Sequence, residues 1–183
     1  VAIVDEIRIK PGAKVKADTV ILTLKNQKLE SALQQSMATL HNRRTSKRKL
    51  YLEQQRELLS QESMLAEMKA DAELATLEVE AHSSLVESGV ISGMEAKRTK
   101  LKARQLSERL ILEQERLIRL REVHQEDLAI QDESIVQAEA EFERAKDRLE
   151  QLVVKAGLTG VLQRLPVSLG QSVKVGDALA TVG

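Results

Sequence analysis

Three histidines, His41, His82 and His124, are the only side chains here whose ordinary proton equilibrium lies near neutral pH. They stand far apart in the sequence, and none has a second ligand at a spacing that would hold a metal. Cysteine is absent, which removes thiolate ligation and disulfide frameworks and leaves the redox compartment open. Carboxylates pair at Asp132-Glu133 and Glu139-Glu141, but on what reads as helix, with no cleft to perturb their proton affinity. No G-x-S-x-G, P-loop or H-E-x-x-H motif occurs. These residues argue against catalysis, and neither cofactor nor metal is expected.

Binding chemistry is better represented, in the segment Leu85-Val86-Glu87-Ser88-Gly89-Val90-Ile91-Ser92-Gly93-Met94-Glu95. Gly89 can take a positive φ and end a helix. Ser92 can cap the next helix through its hydroxyl, with Glu95 three residues on to complete a capping box. Loss of such a cap costs about 0.5–2 kcal/mol. Val90 and Ile91 are left over, two β-branched apolar residues in a turn. They suit a docking surface; alternatively they fold back against Leu85 and close the coil, and the two roles are compatible.

The elements around this turn follow from where the helix breakers fall. Pro11 and Gly12 come early, then no Gly or Pro appears until Gly89 and Gly93, and none again until Gly157. Interior Gly costs about 1 kcal/mol and Pro about 3 relative to Ala. The two breaker-free stretches therefore predict helices over 26–87 and 93–152, each roughly 90 Å long at 1.5 Å per residue. Tyr51, Leu58, Leu65, Ala72, Val79 and Val86 repeat every seven residues, with Met68 and Ala75 as companions. Leu110, Leu117, Ala138, Ala145 and Leu152 do likewise in the second stretch, joined by Leu128, Ile135, Phe142 and Leu149. A sustained heptad seam predicts a coiled coil. The step of eleven from Leu40 to Tyr51 predicts a stutter there. His124 falls on the seam register and is expected to be partly buried.

An antiparallel hairpin pairs residues whose numbers sum to about 182. Leu33 then meets Leu149, Leu40 meets Phe142, Leu65 meets Leu117, and Ala72 meets Leu110. The basic run Arg43, Arg44, Lys47, Arg48, Lys49 comes near Asp132, Glu133 and Glu139, so a salt-bridged face explains it better than a lipid-binding or nuclear-localisation patch. Composition agrees: aromatics are 1% of residues, charged residues 31%, and 28 basic side chains balance 28 acidic ones. That balance gives no pull toward nucleic acid, and there are almost no rings on which bases could stack. No apolar run approaches the roughly 20 residues of a membrane span, and none of these residues is expected to be a signal peptide.

The ends repeat each other. Shifted by 158, Ile3-Val4 falls on Val161-Leu162, Ile9 on Val167, Gly12 on Gly170, Val15-Lys16 on Val173-Lys174, and Ile21 on Leu179. Alternating apolar residues around turn signals predict short strands. Neither copy is large enough to fold alone, so the two are expected to join as one β-domain. The fold class is mainly α with a small β part, the long antiparallel hairpin being inserted between two β-halves. The expected organisation is a half-motif at 1–25, the hairpin at 26–152 with its tip at about 87–93, and a second half-motif at 153–183.

The second copy, in Gly160-Val161, Val167, Gly170, Val173 and Gly176-Asp177-Ala178-Leu179, resembles the half-motif of biotinyl/lipoyl domains. The first departs from it, with Ala2 for the first Gly and Asp18-Thr19 for Gly-Asp. The modified lysine of a carrier domain has no counterpart, which sets a biotin or lipoate carrier aside. Lipoyl halves split by a helical hairpin resemble the periplasmic adaptor, or membrane fusion, proteins of the HlyD-like family. Gly157 stands where that family often has Pro. The family also carries a β-barrel and a membrane anchor, and the first copy lacks the strand that Val153-Val154-Lys155-Ala156 provides in the second. The chain is therefore expected to be a fragment.

The resemblance implies a role linking an inner-membrane exporter to an outer-membrane channel of TolC type, in type I secretion or drug efflux. It implies docking through the tip, at Leu85, Gly89, Val90, Ile91 and Ser92. Leu85 and Ser92 match the family's tip Leu and Ser, while Ala81, beside His82, stands where the family has Arg. It further implies a hexamer, an ABC or major-facilitator transporter rather than a resistance-nodulation pump, and a periplasmic site with the full-length protein anchored in the inner membrane of a Gram-negative bacterium. The competing reading is a structural coiled-coil spacer whose β-ends are clasps.

Overall fold

The computed structural model describes all 183 residues. Two short β-segments flank two long helices. Strands β1 (Ala2–Ile7), β2 (Lys14–Val15) and β3 (Val20–Lys25) precede α1 (Gln27–Glu87) and α2 (Gly93–Glu150). Strands β4 (Val153–Lys155), β5 (Gly160–Arg164), β6 (Ser172–Val173) and β7 (Thr181–Val182) follow them. Asn26 starts α1, its side-chain oxygen accepting from the backbone N–H of Lys28 at 3.0 Å. The end of α2 tightens, with Leu152 N–H on the Leu149 carbonyl, so regular helix stops at Glu150. No helix is long and apolar enough to cross a membrane.

The chain divides into two compact units, Val1–Arg44 with Ser134–Gly183, and Thr45–Glu133. In the first, strands from the two chain ends interleave, in one sheet of order β4-β3-β1-β6 and another of order β2-β5-β7. The 158-residue repeat is a structural two-fold. Val4 packs with Val173 in one core cluster, and their shifted mates Leu162 and Val15 pack together in the other. Gly12 N–H donates to the Leu162 carbonyl at 2.7 Å, and Gly170 N–H to the Val4 carbonyl at 2.8 Å. Both glycines have positive φ, which the turn requires. Even the irregularities match, since the β1–β3 and β5–β7 ladders each slip just after Val4 and Leu162.

The departure at Asp18-Thr19 is explained by hydrogen bonding. Asp177 Oδ2 accepts from Lys174 N–H at 2.7 Å, and Thr19 Oγ1 accepts from Lys16 N–H at 2.9 Å. A hydroxyl thus fills the carboxylate's place in the turn. In the same unit Leu40 and Ala138 are buried on facing helices, and Arg44 pairs with Glu139 at 2.6 Å.

In the second unit the helices pair in the expected antiparallel register, with cross-helix bonds from Lys47 to Asp132, Arg121 to Glu62 and His82 to Thr99. Ala72, Ala75, Ala103 and Leu117 are its buried apolar residues. Tyr51 corrects the sequence reading: it is 47% exposed and off the seam. The seam instead runs Lys47, Leu50, Gln54, Leu58, in steps of three, four and four. That spacing is a stutter, displaced toward the C-terminus from the expected one. A second occurs on α2, through Leu117, Leu120, His124 and Leu128. The two stutters meet, with Gln54 at 4% exposure and His124 at 8%.

Candidate docking site

The turn between the helices is built by backbone bonds that its sequence permits. Gly89 N–H donates to the Val86 carbonyl at 3.0 Å, and Val90 N–H reaches back to the Leu85 carbonyl at 2.9 Å. This pair of bonds is a Schellman cap, which needs a residue at positive φ between them. Gly89 supplies it at φ 75°. Ser88 adds its hydroxyl to the Ser84 and Leu85 carbonyls at 3.2 and 3.1 Å.

On the other side, Ser92 Oγ accepts from Glu95 N–H at 3.2 Å and caps α2. The return bond that would complete a capping box is not made. Glu95 acts only through its charge in the first helical turn, where the helix dipole favours an anion. One step further along the hairpin, His82 Nδ1 and Thr99 Oγ1 lie 2.8 Å apart and tie the helices together.

Of the residues singled out in the sequence, Val90 is 68% exposed and Leu85 is just over a third exposed. Gly89 and Ser92 are exposed, while Ile91 is half-buried with Val86. The alternatives for the turn are thus divided between its two β-branched residues: Ile91 turns partly inward and Val90 stays out. Met94 is a residue the sequence reading passed over. It is exposed and lies next to the cap in sequence, so Leu85, Val90 and Met94 are the exposed apolar side chains of this segment. Its position just after Gly93, on the first turn of α2, was the available signal. Ala81 is exposed and brings no charge, and the neighbouring His82 is engaged with Thr99.

The remaining candidate groups are spread through the structure. His41 is exposed, and His124 Nε2 lies 3.1 Å from Glu57 Oε2. No group of three or more His, Cys, Asp or Glu side chains is placed to hold a metal. Charge is polarised along the second unit. From Glu53 to Glu87 α1 has nine acidic side chains and two basic, whereas from Lys97 to Arg121 α2 has nine basic and three acidic.

Solved structures share this fold. That of the periplasmic adaptor protein EmrA is 15% identical, with a TM-score of 0.55 over 98% of this chain and 68% of EmrA. The soluble domain of LipC, a membrane fusion protein of a type I secretion system, is 15% identical, with a TM-score of 0.52 over 100% of this chain and 96% of LipC. MacA from Actinobacillus actinomycetemcomitans is 17% identical with a TM-score of 0.48, and the chain spans 45% of it. No protein-family model and no curated protein matches the sequence. The chain has the fold of the periplasmic adaptor and membrane fusion proteins, two long helices set between interleaved β-halves.

Proposed function

We propose that this chain is the hairpin and lipoyl-like part of a periplasmic adaptor that joins an inner-membrane exporter to an outer-membrane channel of TolC type. In this reading 1–25 and 153–183 are the lipoyl half-motifs and 26–152 is the hairpin. The observation that carries it is the turn: a doubly capped junction that leaves Leu85, Val90 and Met94 exposed. A turn that only closed a coil would gain by burying those side chains, since apolar area left in water forgoes about 25 cal/mol per Å² of burial.

Docking runs through Leu85, Gly89, Val90, Ile91 and Ser92. Ala81 and the engaged His82 supply no guanidinium, so apolar shape carries this contact more than charge. The transporter is of ABC or major-facilitator type, the cargo leaves by type I secretion or drug efflux, and the full-length protein is held at the inner membrane with this part in the periplasm. Copies assemble side by side as a hexamer. The polarised helices support that packing, because an acidic α1 of one copy suits the basic α2 of the next.

The test is export by the full-length protein bearing Leu85→Asp or Ser92→Arg. Docking requires that export collapse while expression stays normal. Unchanged export would overturn the tip contact and favour a structural spacer.

A further inference from the structure

Both helices of the second unit carry another line of apolar residues, outside the seam. At about 100° per residue, a side chain two positions from a seam residue points to the opposite face. On α1, Leu52 stands two after Leu50, Ala70 two before Ala72 and Ala81 two after Val79, with Leu59 in line between them. On α2, Leu101 stands two before Ala103, Leu112 two after Leu110 and Ile130 two after Leu128, with Val123 in line. All of them are exposed. Steps of seven and eleven residues are close to whole turns and keep to one face.

The two lines share one pattern. Along α1 the steps are seven, eleven and eleven, and along α2 they are eleven, eleven and seven, the same in reverse. The helices run antiparallel, in the register that the Lys47–Asp132, Arg121–Glu62 and His82–Thr99 bonds fix. Leu52 therefore stands level with Ile130, Leu59 with Val123, Ala70 with Leu112, and Ala81 with Leu101. Within one hairpin the two lines stay uncovered.

Charge decides what covers them. Along these stretches α1 is acidic and α2 basic, so α1 on the α1 of a second copy, or α2 on α2, would set like charges together. That leaves α1 on the α2 of another copy, in one of two orientations. With the two turns at the same end, Arg56 comes level with Glu126 and Glu73 with Arg109. With one copy inverted the lines still meet, Leu59 on Leu112, Ala70 on Val123 and Leu77 on Ile130. Arg56 then meets Arg109, however, and Glu73 meets Glu126. All four charged side chains are exposed, so the inverted orientation is the costly one.

We propose that the Leu52–Ala81 line of α1 docks on the Leu101–Ile130 line of α2 in a second copy of this chain, with the two turns level. The contact deepens the side-by-side assembly proposed above and rests on that reading. Leu112 and Leu101 fit over the small Ala70 and Ala81, as large side chains do in facing helices. Because the two sides of the contact differ, each copy keeps one free line, and growth continues past a pair.

The test uses thiols, since the chain has no cysteine of its own. Leu59→Cys with Val123→Cys, oxidised at high protein concentration, should crosslink copies into a ladder that runs beyond dimers. Leu59→Cys with Ile118→Cys, equally exposed but off the line, should not. On the first background Arg56→Glu should lower the crosslinked fraction about threefold, and adding Glu126→Arg should restore it. Three results would overturn the contact: no ladder from the level pair, crosslinking by Leu59→Cys alone, or a stronger ladder from Leu59→Cys with Leu112→Cys. Neither channel nor exporter takes part, so this outcome is read separately from the export defect of Leu85→Asp.

Discussion

The side-chain amide of Gln54 donates to the backbone carbonyl of His124 at 3.3 Å, inside the hairpin where the two stutters coincide. Gln54 Oε1 and His124 Nδ1 are buried beside this bond with no partner of their own. A buried polar atom left unpaired costs about 1–3 kcal/mol. Gln54→Leu and His124→Leu should therefore each raise the melting temperature followed by helix circular dichroism, and the double variant should gain most. Gln54→Ala, which leaves a void, should lower it. A fall in both leucine variants would mean that the polar pair is a net stabiliser.

Gly89 and Gly93 separate conformational need from space. A Cβ would meet nothing within 4 Å at either, yet only Gly89 has positive φ. Gly89→Ala should cost about 1–2 kcal/mol for the left-handed backbone alone. Gly93→Ala, at the first helical position, should be neutral or gain about 0.4–1 kcal/mol. Chemical denaturation of the two variants side by side checks this, and equal losses would contradict it.

Ser92→Ala removes the cap of α2 and should cost about 0.5–2 kcal/mol, whereas Ser92→Asp should keep it. Thermal melts read the cap directly. The pair also divides stability from docking: Ser92→Asp should stay folded, so any export defect it shows in the full-length protein reports on the contact with the channel.

The two-fold of the β-unit makes paired predictions. Leu162 and Val4 occupy equivalent fully buried places. Leu162→Ala should cost about 2–5 kcal/mol, and Val4→Ala somewhat less, for the smaller void. Thr19→Val removes one exposed turn bond and should cost only about 0.5–1.5 kcal/mol. Denaturant midpoints give all three, and a mild Leu162→Ala would argue against the shared core.

Much of this was written in the chain. Gly and Pro spacing marked both helices because one interior breaker costs more than a good helix former can restore. The 158-residue repeat marked the interleaved sheets because buried positions such as Val15 and Val173 tolerate only apolar side chains. Tyr51 misled because apolarity was equated with the seam, whereas Lys47, Gln54 and Gln61 fill seam positions. The α2 stutter was hidden in the same way, behind His124. In the turn, the positive φ of Gly89 and the Ser92 cap were legible as local chemistry. Which of its apolar side chains stay exposed depends on the course of the backbone through the turn, which no local pattern encodes.

Interleaving the two chain ends dictates an order of events. Both sheets contain strands from beyond Gly160 as well as strands from before Gln27, so neither can be completed until those later strands have left the ribosome. The helices need no such wait, since zipping from Gly89 closes one short loop after another and draws the distant ends together. A nascent chain arrested before Gly160 should already resist protease along the helices while its first strands remain open to cleavage.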